Sequence, residues 1–237
     1  MTEHTISAYE AELRHLAGKI AEMGGLAEQL VADSVQALVR MDTALAQRVV
    51  FEDRRLDQMQ RDIEEASILV IAKRQPMAMD LREIVGFMRI ANDLERVGDL
   101  AKNIGKRVVA INSSIVQKKL MVGVEHLAEI ALEQLKHVLD AYANRNEALA
   151  RQVRERDDEI DALYTSLFRE LLTYMMEDPR NIGQCTHLLF CAKNIERIGD
   201  HATNIAETVH YAVTGSMFET ERPKADLTSE QAIALPG

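Results

Sequence analysis

The stretch Glu95-Arg96-Val97-Gly98-Asp99-Leu100-Ala101-Lys102-Asn103-Ile104 returns 101 residues later as Glu196-Arg197-Ile198-Gly199-Asp200-His201-Ala202-Thr203-Asn204-Ile205, with seven of ten positions identical. Self-similarity at a fixed offset marks an internally duplicated chain. Most repeats keep apolar core positions, whereas this one keeps Glu, Arg, Asp and Asn. The repeated string is therefore a candidate functional face.

Ahead of each copy of the string the halves align at an offset of 104 through Ala44-Leu45-Ala46 and Ala148-Leu149-Ala150, and through Asp57 and Asp161. The offset is 103 at Pro76/Pro179 and 101 at Glu95/Glu196, so the drift falls at a hairpin. The spacing of breakers predicts a three-helix unit used twice. Expected helices run over 5–40, loosened at Gly24-Gly25, then from the Asp42 cap to before Gln75-Pro76, then over 80–112. Asn112-Ser113-Ser114 reads as the link. In the second half one helix leads to Tyr142, one runs over 146–177, Pro179 interrupts, and a last helix ends near Gly215. The expected fold is all-α, six long helices as a tandem repeat of two three-helix bundles: residues 1–113, 114–215, and a loose tail over 216–237.

In the third helix Ile84, Phe87, Ala91, Leu94, Gly98, Ala101, Gly105 and Val108 alternate at three and four residues, a heptad seam, with Ile90, Val97, Ile104 and Ile111 beside it. Gly98 and Gly199 hold the same seam position. A mid-helix glycine costs about 1 kcal/mol relative to alanine, so close approach by a neighbouring helix is expected there.

Composition narrows the function classes. Apolar residues make up 47% of 237 and aromatics 4%, with no Trp and four Pro, which suits long helices. The net charge of −10 and the lack of a basic stripe argue against nucleic acid. Cys185 and Cys191 cannot build a disulfide framework. No apolar run reaches membrane-span length, and Met1-Thr2-Glu3-His4 lacks signal-peptide character. A soluble cytoplasmic protein is expected.

The chemistry rests on carboxylates. Glu95 and Asp99 lie one turn apart, as do Asp53 and Asp57, Asp157 and Asp161, and Glu196 and Asp200. The heptad register sets all four pairs beside the seam, facing out of the core. Reflection about Pro76 carries Asp57 and Asp53 onto positions 95 and 99, and reflection about the 178–179 bond carries Asp161 and Asp157 onto 196 and 200. Four acids per half should therefore share a height. Like charges one turn apart repel, so something positive must balance them. Arg54, Arg55, Arg61, Arg96, Arg156 and Arg197 are one source. A multivalent cation is favoured over them, because the arrangement occurs twice. All-oxygen ligands, with Asn103 and Asn204 as weaker additions, suit hard ions of the Mg, Ca, Mn or Fe class, with more than one ion per cluster feasible. His201 could add a nitrogen to one site. Glu12/His15, Glu207/His210 and the Cys185-His187-Cys191 group are weaker still. No phosphate loop, nucleophile elbow or HExxH string is present.

The paired acids, the E-R-[VI]-G-D-x-A-x-N-I string in each half and the tandem plan resemble the phosphate-signalling PhoU family over about residues 7–215. The resemblance implies multinuclear metal sites at Asp53, Asp57, Glu95 and Asp99, and at Asp157, Asp161, Glu196 and Asp200. It also implies a non-enzymatic, cytoplasmic negative regulator of phosphate uptake and phosphate-starvation signalling, acting between the phosphate ABC transporter and a sensor histidine kinase. A homodimer is the expected assembly. The competing reading is a carboxylate-metal enzyme, an oxidase or phosphohydrolase. Against it, no base or nucleophile stands apart from the acids.

Overall fold

The computed structural model describes residues 2–111, 118–220 and 222. Every regular element among them is helical: α1 (Thr2–Arg40), α2 (Thr43–Arg74), α3 (Met79–Ile111), α4 (Lys118–Ala143), α5 (Glu147–Glu155), α6 (Asp157–Glu177) and α7 (Ile182–Thr214), with a 3-10 turn over Pro179–Asn181. The expected link at Asn112-Ser113-Ser114 lies outside the described residues.

Local chemistry explains the boundaries. Asp42 caps α2 by accepting from the Leu45 N–H at 2.9 Å. Left-handed Gln75 ends α2 (φ 48°) just before Pro76, and left-handed Gly215 ends α7 (φ 82°). A side chain at 215 would be strained by that φ and would have to displace the Arg82 guanidinium packed against the glycine.

The first half packs α1, α2 and α3 together, and the second packs α4, α5–α6 and α7. α3 and α7 lie against each other in the middle and run antiparallel: Gly86 faces Thr208, while Arg107 sits 4.3 Å over the Phe190 ring. All heptad seam residues of α3 are buried, and so are Ile90, Val97, Ile104 and Ile111. Three neighbouring helices surround α3, so its apolar face is wider than a two-helix seam.

Two expectations are corrected. α1 is one continuous helix through Gly24-Gly25, because Gly24 seats the Leu139 side chain of α4 and tightens the packing. The helix expected over 146–177 breaks at Arg156 into α5 and α6. There the Gln134 amide of α4 donates to the Arg156 carbonyl at 2.8 Å, alongside the Glu159 N–H at 3.2 Å that opens α6. The corresponding first-half residue is Leu30, which offers no such donor, and α2 runs unbroken. The described part of the tail also departs from the expected looseness, since Phe218 stacks on His210 of α7, Thr220 accepts from Arg154 of α5 and Arg222 reaches Asp157 of α6 and Asp200 of α7; residues 221 and 223–237 lie outside the described residues.

Candidate metal centres and their counter-cations

Gly98 brings the first cluster together. With no Cβ on α3 at that point, Leu56 of α2 presses against the backbone, and Asp53 Oδ1 would lie 3.0 Å from any methyl added there. Asp53 is buried, at 1% exposure, while Asp57, Glu95 and Asp99 are partly buried. Lys102, one turn beyond Asp99, donates to Asp53 Oδ2 at 2.5 Å and also to Asp99 Oδ1. Arg96 approaches from the solvent side, 3.4 Å from Glu95 and 3.6 Å from Asp99. Asp53 Oδ1 is buried without a hydrogen-bond partner. Burial raises the Asp53 carboxyl above the usual carboxylate range despite the Lys102 hydrogen bond, which opposes it. Burial also raises Glu95, and the charges of Asp99, Asp57 and Asp53 add to the rise while Arg96 opposes it, so the three aspartates all act on this one carboxyl. Burial pulls the Lys102 ammonium down, but its bonds to Asp53 and Asp99 carry it well above a free lysine.

The second cluster repeats the plan. Gly199 of α7 receives Ile160 of α6 as Gly98 receives Leu56. Asp157, Asp161 and Glu196 are buried at 2%, 5% and 4% exposure, and Asp200 is partly exposed. Arg222 donates from Nε to Asp157 Oδ2 at 2.6 Å and from Nη2 to Asp157 Oδ1 at 2.6 Å and Asp200 Oδ1 at 2.5 Å. Thr203 Oγ1 donates to Asp157 Oδ1 at 2.9 Å, and Lys193 donates to Glu196 Oε1 at 2.8 Å. Glu196 Oε2 is buried without a hydrogen-bond partner. Burial pushes Glu196 up to about 7, with Asp200 and Asp161 adding to the rise and Lys193 opposing it.

The expectation that the eight acids face outward is therefore corrected: Asp53, Asp157, Asp161 and Glu196 lie inside. The glycine gaps let α2 close on α3, and α6 on α7, until the flanking acids are covered. The expected arginines are mostly occupied elsewhere, Arg55 with Glu52 at 3.1 Å and Arg156 with Glu133 at 2.9 Å. Asn204 and His201 turn to Asp93 across the α3–α7 contact, at 3.4 and 2.9 Å, and not to the second cluster. Glu12 pairs with Arg74, and Glu207 with Arg154, so the weaker carboxylate–histidine patterns do not assemble. Cys185 and Cys191 are buried and free.

Sequence reasoning missed the balancing cations Lys102, Lys193 and Arg222. The first two were visible in the sequence, Lys102 three residues after Asp99 and Lys193 three residues before Glu196; nothing in the helical periodicity points to Arg222.

Among the described residues no three acid, histidine or cysteine side chains close into a ready-made ion cage. The Lys102 ammonium and the Arg222 guanidinium stand between the carboxylates instead. The donor set nevertheless fits a hard cation: four carboxylates per cluster, one of them with a buried oxygen that lacks a partner.

The comparisons agree with this architecture. A family model described as "PhoU domain" matches twice, over residues 20–108 and 124–209. The chain is 66% identical over 226 residues to the phosphate-specific transport system accessory protein PhoU homolog of Rhizobium meliloti, covering 95% of each chain. It is 50% identical over 230 residues to the homolog of Caulobacter vibrioides, covering 97% of this chain and all of the other. The crystal structure of PhoU from Pseudomonas aeruginosa superposes with a TM-score of 0.85 at 39% identity, covering 88% of this chain and 100% of that one. The regulatory protein PhoU from Streptococcus pneumoniae gives 0.81 at 26% identity, covering 90% and 100%. With the duplicated domain, the six-helix plan and full-length relatives all in agreement, this chain belongs to the PhoU family.

Proposed function

We propose that this protein is an accessory regulator of phosphate transport that binds hard metal ions at its two acid clusters. It acts in the cytoplasm as a negative regulator, between a phosphate ABC transporter and a sensor histidine kinase, and restrains the phosphate-starvation response. The transport role is supported by relatives named as accessory proteins of phosphate-specific transport systems along nearly their whole length. No described helix is long and apolar enough to cross a membrane, so contact with a transporter would run through that transporter's exposed part.

The observation that carries the metal reading is the pair of orphaned carboxylate oxygens, Asp53 Oδ1 and Glu196 Oε2. Each is buried inside a group of four acids. A buried carboxylate oxygen without a partner is costly, and a coordinated cation removes that cost. Asp53, Asp57, Glu95 and Asp99 would hold one site, and Asp157, Asp161, Glu196 and Asp200 the other. Metal-bound phosphate would be a natural further ligand, because open coordination positions accept anionic oxygen.

Two measurements test this reading. Elemental analysis of protein purified without chelator should find Mg, Ca, Mn or Fe in amounts that fall when the acids are substituted. Deletion of the gene in its host should switch on starvation genes, or disturb phosphate uptake, while phosphate is plentiful. A strain with unchanged uptake and unchanged starvation-gene output would remove the regulatory assignment.

A further inference from the structure

Beyond α7 the chain turns back at Gly215, where the Arg82 guanidinium of α3 packs, and Phe218, Thr220 and Arg222 then engage the second half. Phe218 stacks on His210, with ring centroids 3.9 Å apart and planes 19° from parallel. The guanidinium of Arg154 sits 4.5 Å from the centre of the Phe218 ring, and that of Arg151 sits 5.2 Å away. Arg154 is 5% exposed; it pairs with Glu207 at 3.0 Å and donates to the Thr220 carbonyl at 2.6 Å. His210 is 6% exposed and lies 2.9 Å from Glu147. Two residues past Thr220, Arg222 enters the second acid cluster.

This seat has no counterpart in the first half. By the repeat offsets, Arg154, His210, Glu147 and Glu207 correspond to Val50, Val109, Thr43 and Lys106. None of these reproduces the buried guanidinium, the histidine or the carboxylates that hold them. Thr203 corresponds to Lys102. The first half therefore draws its counter-cation from its own helix, whereas the second has a threonine there and takes an arginine from the returning chain.

We propose that this returning segment is a strap that closes the second cluster with Arg222, so that a hard cation enters that cluster as the strap lifts. The inference rests on reading the acid clusters as cation sites, but it concerns what guards one of them. Arg222 occupies both oxygens of Asp157 and one of Asp200. A hard cation takes carboxylate oxygens at about 2.0–2.6 Å, so it cannot share these with a guanidinium. Lys102 can swing aside on its own side chain. Arg222 is held by a backbone anchored at Phe218 and Thr220, so its departure moves the segment. Strap and cation are then linked reciprocally: cation binding frees the segment, and anything that holds the segment elsewhere raises cation affinity. The two clusters are thereby made unequal, one open to exchange and one gated.

The test uses the full-length chain with Mn²⁺ as the probe. Hydrogen exchange of the backbone over 214–222 is followed with and without Mn²⁺, and Mn²⁺ affinity is measured for the parent, R222Q and F218A. F218A loosens the strap while leaving every acid in place, and circular dichroism checks that both variants stay helical. Saturating Mn²⁺ should speed exchange over 214–222. Both variants should bind Mn²⁺ about tenfold more tightly at one of two sites, because the competent state is no longer a minor one. Binding by R222Q and F218A without binding by the parent would support the strap still more directly. Mn²⁺ filling both clusters, with unchanged exchange over 214–222 and parental affinity in both variants, would overturn the strap and leave the metal reading intact. No Mn²⁺ bound by any of the three would overturn both.

Discussion

Lys102 of α3 and Thr203 of α7 stand at equivalent places in the two halves and touch equivalent aspartates, Asp53 and Asp157, yet only the lysine brings charge. This difference predicts unequal responses to losing a cation. In chelator, K102A leaves the buried Asp53 carboxylate with no cation and should lower stability by roughly 3 kcal/mol, the low end for breaking a buried pair. Added Mn²⁺ should restore most of the loss. Urea midpoints with and without Mn²⁺ check this, and a midpoint unmoved in chelator would mean that Lys102 does not offset the acids.

Much of this arrangement is legible in the sequence, for identifiable reasons. The Asp42 cap, Pro76 and the heptad of α3 each act through neighbours within a few residues. The reflection about Pro76 needs only equal helical rise, and it sets Asp53 level with Asp99, where Lys102 now bridges them. Burial of the acids was not legible, because it depends on how closely α2 closes on Gly98. The break at Arg156 depends on Gln134 from another helix. Arg222 was beyond reach, since its position is set by the path that Phe218 and Thr220 take across α5 and α7.

The glycines give opposite predictions according to what faces them. A methyl at Gly98 or Gly199 would overlap Leu56 or Ile160, while one at Gly25 meets nothing within 4 Å. G98A and G199A should each destabilise by about 1–2 kcal/mol net, as overpacking outweighs the gain in helix propensity. G25A should stabilise by up to about 1 kcal/mol. Urea unfolding of the three variants reads the signs directly. Equal stabilisation by all three would refute the close helix approach at the clusters.

Metal content offers a separate check. Asp99 and Asp200 are counterparts in the two clusters, with side chains 31% and 37% exposed. D99A combined with D200A should therefore keep helical content while lowering bound metal at both clusters. Elemental analysis alongside circular dichroism decides the matter. Full metal content in the double variant would mean that the metal is held away from these acids, and Lys102, Lys193 and Arg222 would then account for charge balance at the clusters.

Glu196 gives the pH prediction. Its carboxyl is raised to about 7 in the folded chain from an ordinary 4.5, chiefly by burial. Folding thus takes up a proton, and the stability this provides is whole below pH 4.5 and lost as pH passes about 7. In chelator the chain should weaken across that window by up to about 3 kcal/mol. Asp53, also raised by burial, changes stability in the same direction. Glu12, Glu133, Glu147 and Asp178 are held low by Arg74, Arg156, His210 and Arg180 respectively, so their contributions fade only in more acidic solution. E196Q keeps the shape and an acceptor for Lys193 while removing the charge, so its stability should vary less between pH 4.5 and 7 and exceed the parent's at pH 8. Saturating Mn²⁺ should flatten the parent's profile too, because a bound cation stabilises the ionised carboxylate. A parent profile already flat in chelator would show that Glu196 ionises without penalty, and the orphaned oxygen would then lose its force as a sign of a missing cation.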